Sequence, residues 1–406
     1  MEQEERSETM KKALIGSAVF LAAFTVFACM VLNTPSSVLY LLNWGEYIDS
    51  SLVKGFEKKF NCQVIEETVT SSETMYQKIA GGTTSYDVAI PGDYVVTRLY
   101  QEGLLLELDT NNASYPNLAS YQTSFHSDLK ALMDQYMVDE ATGKSYASYF
   151  MPYFWGTYSL IYSTVTPGVE EAVNQYGFAS LFDNSLTPEG TKKGMYDTAR
   201  WIVASYLLSK GEDPNVVDET GSKEGDISES LQKEIIQAVK EATFAELGND
   251  SLKRNVANGK LDMCFTQLGD YFDGLYLLYG SGGNADHYKV SVPKVTASFF
   301  DSMVIPATSQ NTSLANAFID YMLDPEVAYQ NAKSIGYSPT LKAVDALFEE
   351  RADSEEFYPN LSQRDFLNMY PNYLNPLNGV TKSYLLEAKS NDYLTTCETI
   401  LNNLSL

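Results

Sequence analysis

The chain is poor in the residues on which most hydrolases and metalloproteins depend. Its 406 residues include two histidines, His126 and His287, which lie far apart and without metal-ligand spacing. A Ser-His-Asp triad or a zinc site therefore has little support. The sequence also lacks the GxSxG and GxxxxGK[ST] motifs. The sequence does not exclude a pair of carboxylates that hydrolyses glycosides, but no feature of it indicates such a pair. We expect no enzyme activity.

Cysteine is scarce as well, with four residues that form no CxxC pair and no metal spacing. Cys29 lies in an apolar N-terminal run, which leaves Cys62, Cys264 and Cys397 in the rest of the chain. Because three is an odd number, at least one thiol is unpaired, and a disulfide framework is not expected. We predict neither a metal nor a cofactor.

Basic residues are outnumbered, with 28 Lys and Arg against 53 Asp and Glu, so the net charge is −25. Nucleic acid is not an expected partner, since phosphate binding needs a basic surface. An acidic surface suits small cations, although it more often only confers solubility. Tyrosine is in excess, with 29 residues beside 19 Phe and 3 Trp. Rings that stack and also hydrogen-bond suit a ligand cleft as well as a core.

The longest apolar run lies near the N-terminus. Residues 13–32 carry no charge and are long enough to span a bilayer, and the two lysines before them place the remainder outside the cell. Met10 begins a signal-like segment, and we expect it to be the true start. Cleavage after Ala28, lipidation at Cys29 and retention of the helix all stay open. Each gives an exported domain, and we favour membrane attachment over full release.

Strand and helix patterns alternate after this run, at 38–42, 52–60, 62–69, 72–80 and 86–94. The order indicates parallel βαβ units, in which ligands bind beyond the carboxyl ends of the strands. Trp44, Glu46 and Tyr47 follow the first strand, and Asp93 and Tyr94 end the third. Two aromatic–acid clusters therefore meet at one edge of the sheet. A carboxylate between two rings suits a bound cation.

A second α/β segment runs from about 150 to 300 and contains an acidic surface loop or linker at 210–230. A strand at 298–306 resembles those of the first segment, and Asp324-Pro325 caps a later helix. Ser72 is the expected N-cap of the helix that it begins. The sequence shows no internal repeat and no low-complexity tract.

Five segments carry a resemblance to a known family: "LLNWGEYIDSSLVKGFEKKFNCQV", "YDVAIPGDYVV", "YFWGTYSLIYS", "SFFDSMVIPATS" and "DPEVAYQNAKSIGYSPT". In this order, over residues 38–342, the chain resembles the spermidine/putrescine-binding component of bacterial ABC importers. The resemblance implies a type II periplasmic-binding-protein fold, with two α/β lobes joined by hinge strands and closing over a cleft. The implied divisions are a signal sequence or anchor at 1–37, lobe 1 at 38–149 and 301–342, lobe 2 at 150–300, and C-terminal helices on lobe 2 at 343–406.

The resemblance also implies ligand-binding residues. Trp44, Glu46 and Tyr47 match an N-W-x-E-Y cluster, in which the rings flank the polyamine and the acid meets an amine. Asp301 matches an aspartate that pairs with an amine in the middle of the ligand. The remaining expected contacts are Gly92, where a serine is common, and Asp93, Tyr94, Phe265, Phe299 and Tyr337.

The sequence departs from this family in "MYDTARWIV", residues 195–203. The family typically has two acids at the positions of Thr198 and Trp201, where they hold a terminal ammonium. Asp197 is retained, Trp201 stays a candidate contact, and Asp270 in "LGDYFD" is the candidate substitute for a missing acid. The length and charge of the ligand therefore stay open.

These residues predict an exported, membrane-associated, monomeric receptor that captures spermidine or putrescine and delivers it to ABC permease subunits by hinge closure. Cation–aromatic contacts of about 0.5–2 kcal/mol and charge-assisted hydrogen bonds of about 1.5–3 kcal/mol make roughly micromolar affinity reasonable. Structural roles stay open for Glu46, as a first-turn acid, and for Asp301, as a backbone cap at the hinge. The alternatives are a ferric-ion or other organic-cation binder on this fold, a surface adhesin and an extracellular hydrolase.

Overall fold

A computed structural model describes residues 37–139, 141–249, 251–282 and 285–404. The predicted N-terminal signal or anchor, with Cys29, lies outside these ranges. Within them, no helix is long and apolar enough to cross a bilayer.

The strands are β1 Ser37–Trp44, β2 Cys62–Val69, β3 Val88–Ala89, β4 Leu105–Leu106, β5 Val138–Asp139, β6 Lys144–Ser145, β7 Phe150–Ser163, β8 Lys193–Tyr196, β9 Glu246–Gly248, β10 Met263–Gln267, β11 Tyr288–Ser291, β12 Val295–Pro306, β13 Ser338–Pro339, β14 Glu356–Tyr358, β15 Leu361–Ser362 and β16 Lys382–Leu385. The helices are α1 Ser50–Phe60, α2 Ser72–Gly81, α3 Asp93–Gln101, α4 Pro116–Ala119, α5 Tyr121–Ser124, α6 Ser127–Tyr136, α7 Val169–Tyr176, α8 Ala179–Phe182, α9 Ala199–Ser209, α10 Glu229–Ala242, α11 Ser251–Ala257, α12 Tyr271–Gly280, α13 Thr312–Met322, α14 Pro325–Ile335, α15 Lys342–Arg351, α16 Gln363–Met369 and α17 Asn391–Asn402.

One twelve-stranded sheet runs through both halves of the molecule. Eight of its strands follow the path β2-β1-β3-β12-β7-β10-β8-β9, and the other four, β4, β11, β13 and β16, pair with β7 or β12 beside this path. β1 pairs in parallel with β2 and β3, and β8 pairs in parallel with β9 and β10. We call the half with β1, β2 and β3 lobe 1 and the half with β8, β9 and β10 lobe 2. The two-lobed α/β class predicted from the sequence is confirmed. The residue numbers at which the lobes divide stay a prediction.

Two antiparallel strands, β7 and β12, cross between the lobes. β12 pairs with β3 at Val304 in lobe 1, and β7 pairs with β10 through residues 158–162 in lobe 2. Every residue of β7 is buried, which explains its long apolar and aromatic run. The pairing of β7 with β12 shifts register between Asp301 and Ser302, opposite Phe154 and Pro152. A proline suits such a bulge because it has no N–H for the ladder, and a bulge redirects the side chains beside it.

Two local predictions needed correction. Ser71, not Ser72, is the N-cap of α2, because its side chain accepts the N–H of Thr74 and its backbone is extended. The third strand is shorter than expected and Asp93 begins α3, since Pro91 and Gly92 end the strand. By contrast, Asp324 caps α14 and Pro325 is its first residue, as predicted.

The C-terminal segment contacts several parts of the fold. β16 pairs in parallel with β12 at Val295–Ser298, on the lobe 2 side of the hinge. α17 packs against α9 of lobe 2, whereas α15 packs against α14. The predicted acidic stretch before α10 forms no regular element. Three cysteines, Cys62, Cys264 and Cys397, are buried and free.

Candidate functional site

The carboxyl ends of β1 and β3 meet the hinge strand β12 at one edge of lobe 1. Trp44 is the last residue of β1, and Asp93 begins α3 shortly after β3. Asp301 lies on β12 at the register shift. Gly92 and Asp301 form an isolated antiparallel bridge, which joins the loop after β3 to the hinge. The two clusters predicted from the sequence are thus brought together with Asp301.

Tyr47 and Asp301 form the central contact of this edge. The Tyr47 hydroxyl donates to Oδ2 of Asp301 at 2.5 Å. Burial, with the nearby charge of Asp301, raises the pKa of Tyr47 well above its ordinary value, so the phenol stays a proton donor. The Tyr47 carbonyl accepts the hydroxyl of Tyr153 at 2.8 Å, which ties this loop to β7. Asp301 is therefore held by a neutral donor.

Asp93 supplies a second carboxyl group beside Asp301. It accepts the backbone N–H of Tyr94 at 2.6 Å and that of Phe300 at 3.3 Å. Burial raises the pKa of Asp93 to about 7, and it raises the pKa of Asp301 to about 7 as well. Within the described ranges neither carboxyl group forms an ion pair. A bound ammonium would stabilise their charged forms.

Aromatic rings surround the Tyr47–Asp301 pair. The ring centroids of Tyr337 and Phe154 lie 5.2 Å and 5.3 Å from that of Tyr47, both edge-on. Phe299, which is half-buried, lies 6.2 Å from Tyr337. Gly156 leaves room for this ring, because a Cβ there would lie 2.7 Å from Cζ of Phe299. Such edge-to-face packing fixes the ring orientations and provides apolar walls.

Trp44 and Glu46 flank the loop after β1. The Trp44 indole N–H donates to the carbonyl of Ile90 at 2.8 Å, so the ring is fixed across β1 and β3. Glu46 is exposed, and its backbone has a φ of 53°. This left-handed conformation costs a non-glycine residue about 1–2 kcal/mol. The Glu46 side chain makes no hydrogen bond or ion pair with the described residues. Its contact with an amine stays a prediction.

On the lobe 2 side, Trp201 is half-buried among aromatic side chains. Its ring lies 4.9 Å from Tyr196 and 6.1 Å from Tyr158. Phe265 has no exposed surface and packs 5.1 Å from Tyr158. Phe265 packs against Tyr158 and Trp201 within lobe 2, where β10 pairs with β7, and its contact with a ligand stays a prediction.

Asp270 is not available as the substitute for a missing acid. Its Oδ1 accepts the ammonium of Lys253 at 2.9 Å, and its Oδ2 accepts the hydroxyls of Tyr196 at 2.8 Å and Thr266 at 2.9 Å. Burial opposes the charge, but Lys253 and these donors outweigh it and lower the pKa of Asp270. The carboxylate is already paired and its acceptor positions are filled, so we expect a structural role for Asp270.

Asp197 and Thr198 are both exposed, between the carboxyl end of β8 and α9. Among the described residues, Asp197 makes no ion pair with Arg200. Thr198 is the N-cap of α9 but its side chain makes no capping bond. Asp197 therefore stays a candidate contact on the lobe 2 side.

Arg200 is a residue that sequence reasoning did not assign to the site. Its guanidinium carbon lies 4.1 Å from the ring centroid of Tyr94, and Nη2 donates to the carbonyl of Glu387. Arg200 is buried, and its Nε has no partner in the described part of the chain. Tyr153, Phe154 and Tyr158 were also missed, although the aromatic run of β7 was visible in the sequence.

Comparison with known proteins gives relatives along most of the chain. The chain is 27% identical over 329 residues to the spermidine/putrescine-binding periplasmic protein of Escherichia coli K12, which covers 80% of this chain and 84% of that protein. It is 26% identical over 365 residues to the putrescine/cadaverine-binding protein of Pseudomonas aeruginosa, with 86% and 96% covered.

A solved structure shares the fold. The spermidine/putrescine ABC transporter substrate-binding protein PotD from Streptococcus pneumoniae, in complex with calcium and HEPES, aligns with a TM-score of 0.66 and 24% identity, over 91% of this chain and 99% of that chain. The family model for bacterial extracellular solute-binding proteins matches residues 51–358. Because this match covers more than half of the sequence, the chain belongs to the bacterial extracellular solute-binding proteins.

Proposed function

We propose that this protein captures a polyamine, putrescine or spermidine, outside the cytoplasmic membrane and delivers it to an ABC permease. The observation that carries the proposal is the Tyr47–Asp301 contact. A carboxyl group beside a second one, held by a neutral phenol and surrounded by rings, is a site for an ammonium. The names of the relatives support the same ligand class.

The ligand's two chemical parts match the two kinds of surface at this site. Its methylene groups would pack on Trp44, Phe299 and Tyr337, and its ammonium would bind Asp301, with Glu46 as a further acid. Each ring contact would contribute about 0.5–2 kcal/mol. Each charge-assisted hydrogen bond would contribute about 1.5–3 kcal/mol. The sum, net of the cost of association, supports roughly micromolar affinity.

Tyr337 is the side chain best placed to couple binding to lobe closure. Its ring packs on Tyr47 of lobe 1, while its hydroxyl lies 3.4 Å from Asp270 and 3.5 Å from Gln267, both in lobe 2. A ligand held at Asp301 would contact this ring. Ligand binding would then stabilise the closed arrangement, which is the form that a permease would recognise.

The remaining assignments follow from the same proposal. The receptor acts by binding and release, without catalysis. The apolar run at residues 13–32 would hold it at the membrane, and it would act as a monomer.

The test is calorimetric titration of the full chain, kept soluble in mild detergent, with putrescine, spermidine, ferric citrate and butane-1,4-diol. The diol is the control for methylene packing without charge. Roughly micromolar binding of either amine, with no binding of the diol, supports the proposal. Binding of ferric citrate in place of both amines would overturn it and favour the ferric-ion alternative.

A further inference from the structure

The ring of Tyr94 is already occupied by a cation that belongs to the protein. Arg200 comes from α9 of lobe 2, whereas Tyr94 lies in the first turn of α3 in lobe 1. Their 4.1 Å separation is typical of a cation–aromatic contact. A ligand ammonium cannot use the same ring face while the guanidinium lies on it.

The acid whose charge acts on Arg200 is Asp93, but burial raises the pKa of Asp93 to about 7, so its charge offsets that of Arg200 only in part. In the described part of the chain Arg200 forms no ion pair, and its one hydrogen bond goes to the neutral carbonyl of Glu387. The guanidinium is buried and Nε lacks an acceptor. A buried charge of this kind repels a second cation nearby more strongly than an exposed one would.

Apart from Asp93, the acids that could offset this charge are absent or occupied. Neutral residues, Thr198 and Trp201, stand where the resemblance implies acids. Asp270 is paired with Lys253 at 2.9 Å, and Lys253 also contacts Asp273 at 3.1 Å. Asp197 alone remains, and it is exposed to solvent, where its attraction for a cation is screened.

We propose that Arg200 determines ligand length by occupying, with its own guanidinium, the Tyr94 position that a distal ammonium of a longer polyamine would need. This inference rests on the proposed polyamine function. One ammonium binds at Asp301, and the site favours a short diamine over a triamine, whose additional charged amine would be brought towards Arg200.

The test compares putrescine and spermidine titrations of the full chain and two variants. Arg200→Gln removes the charge, and Arg200→Lys, the matched control, retains it. We expect the wild type to bind putrescine more tightly than spermidine. Arg200→Gln should reduce the ratio of the two affinities about tenfold, because it removes a nearby charge that repels the additional amine of spermidine. Arg200→Lys should keep the preference within about twofold of wild type, because its charge is unchanged.

A second variant covers the case in which Arg200→Gln fails to fold. Thr198→Asp places an acid at an exposed N-cap that has no side-chain cap, so it should stabilise α9. It should also improve spermidine binding relative to putrescine. If the ratio of putrescine to spermidine affinity is unchanged in Thr198→Asp, or in folded Arg200→Gln, Arg200 does not determine ligand length. That result would leave the proposed polyamine binding intact. Binding of neither amine by the wild type would refute the proposed function itself.

Discussion

Gly92 and Asp301 face each other across an isolated backbone bridge, with Oδ1 of Asp301 3.3 Å from the place that a Cβ on Gly92 would take. The φ of Gly92 is −70°, so any residue can adopt its backbone. A side chain here would act by crowding the carboxyl group, not by straining the backbone.

Replacement of Gly92 tests whether the position of Asp301 matters for binding. Gly92→Ala should shift the carboxyl group by a few tenths of an ångström and weaken putrescine binding about threefold, because a positioned charge pair depends on distance. Gly92→Ser should recover part of this loss, since its hydroxyl can donate to Asp301 and cap α3. Calorimetry of the three proteins decides, and equal affinities would show that the Asp301 geometry is unimportant.

Glu46 is predicted to lower the free energy of unfolding and to strengthen putrescine binding. Glu46→Gly relieves the left-handed backbone, so the free energy of unfolding should rise by up to about 1 kcal/mol. Putrescine binding should weaken, because the acid is lost. Glu46→Gln is the matched control, which retains the backbone cost and loses only the charge. Denaturant melts measure the free energy of unfolding, and calorimetry measures putrescine affinity. Unchanged affinity in both variants would show that Glu46 does not contact the ligand.

Binding and stability should depend on pH in opposite directions. Asp93 and Asp301 have a pKa of about 7 in the folded protein against an ordinary 3.8, mainly through burial. The folded chain therefore binds more protons than the unfolded chain between about pH 4 and pH 7, and the free energy of unfolding falls as pH rises through that window.

Ligand affinity should rise as the pH rises through about 7, where Asp301 ionises. Because an ammonium favours ionised Asp301, putrescine should bind more tightly at pH 8 than at pH 6, with release of protons. Titration in two buffers of different ionisation enthalpy measures the protons released. Asp301→Asn should reduce the pH dependence of both the free energy of unfolding and the putrescine affinity. A pH dependence of affinity identical to the wild type would contradict the assignment of Asp301 as the amine partner.

Asp270 should prove structural. Asp270→Asn removes the charge of one acidic partner of buried Lys253, and should lower the free energy of unfolding by about 3 kcal/mol. The putrescine affinity of the folded variant should change by less than about twofold, since the carboxylate is already occupied. The double variant Lys253→Met, Asp270→Leu should recover much of the stability, because it removes both charges. A large loss of putrescine affinity would show instead that Asp270 contacts the ligand.

Most of the fold could be predicted because its signals are local. The alternation of strands and helices over the first lobe and the Asp324-Pro325 cap were all visible as short patterns. The third strand was predicted over 86–94 with Pro91-Gly92 as its stop, whereas only Val88–Ala89 form a regular strand and Asp93 begins α3.

The candidate site was predictable only in part, for a physical reason. Trp44, Tyr47 and Asp301 follow strand ends or lie within recognisable segments. The partners that decide each carboxylate's role are instead distant in sequence. Lys253 lies 17 residues from Asp270 and Tyr47 lies 254 residues from Asp301. No helical or strand period joins such pairs, so the sequence alone does not show which acid is occupied.

The most direct test of the central claim compares putrescine binding by the wild type, Asp301→Asn and Tyr47→Phe. Asp301→Asn retains the shape of the side chain and loses its charge, so affinity should fall about 10- to 100-fold, as for loss of a charge-assisted contact of about 1.5–3 kcal/mol. Tyr47→Phe keeps the carboxylate and should lose about tenfold or less. If Asp301→Asn, folded as judged by its melting temperature, binds putrescine as tightly as the wild type, Asp301 is not the amine partner and the account is wrong.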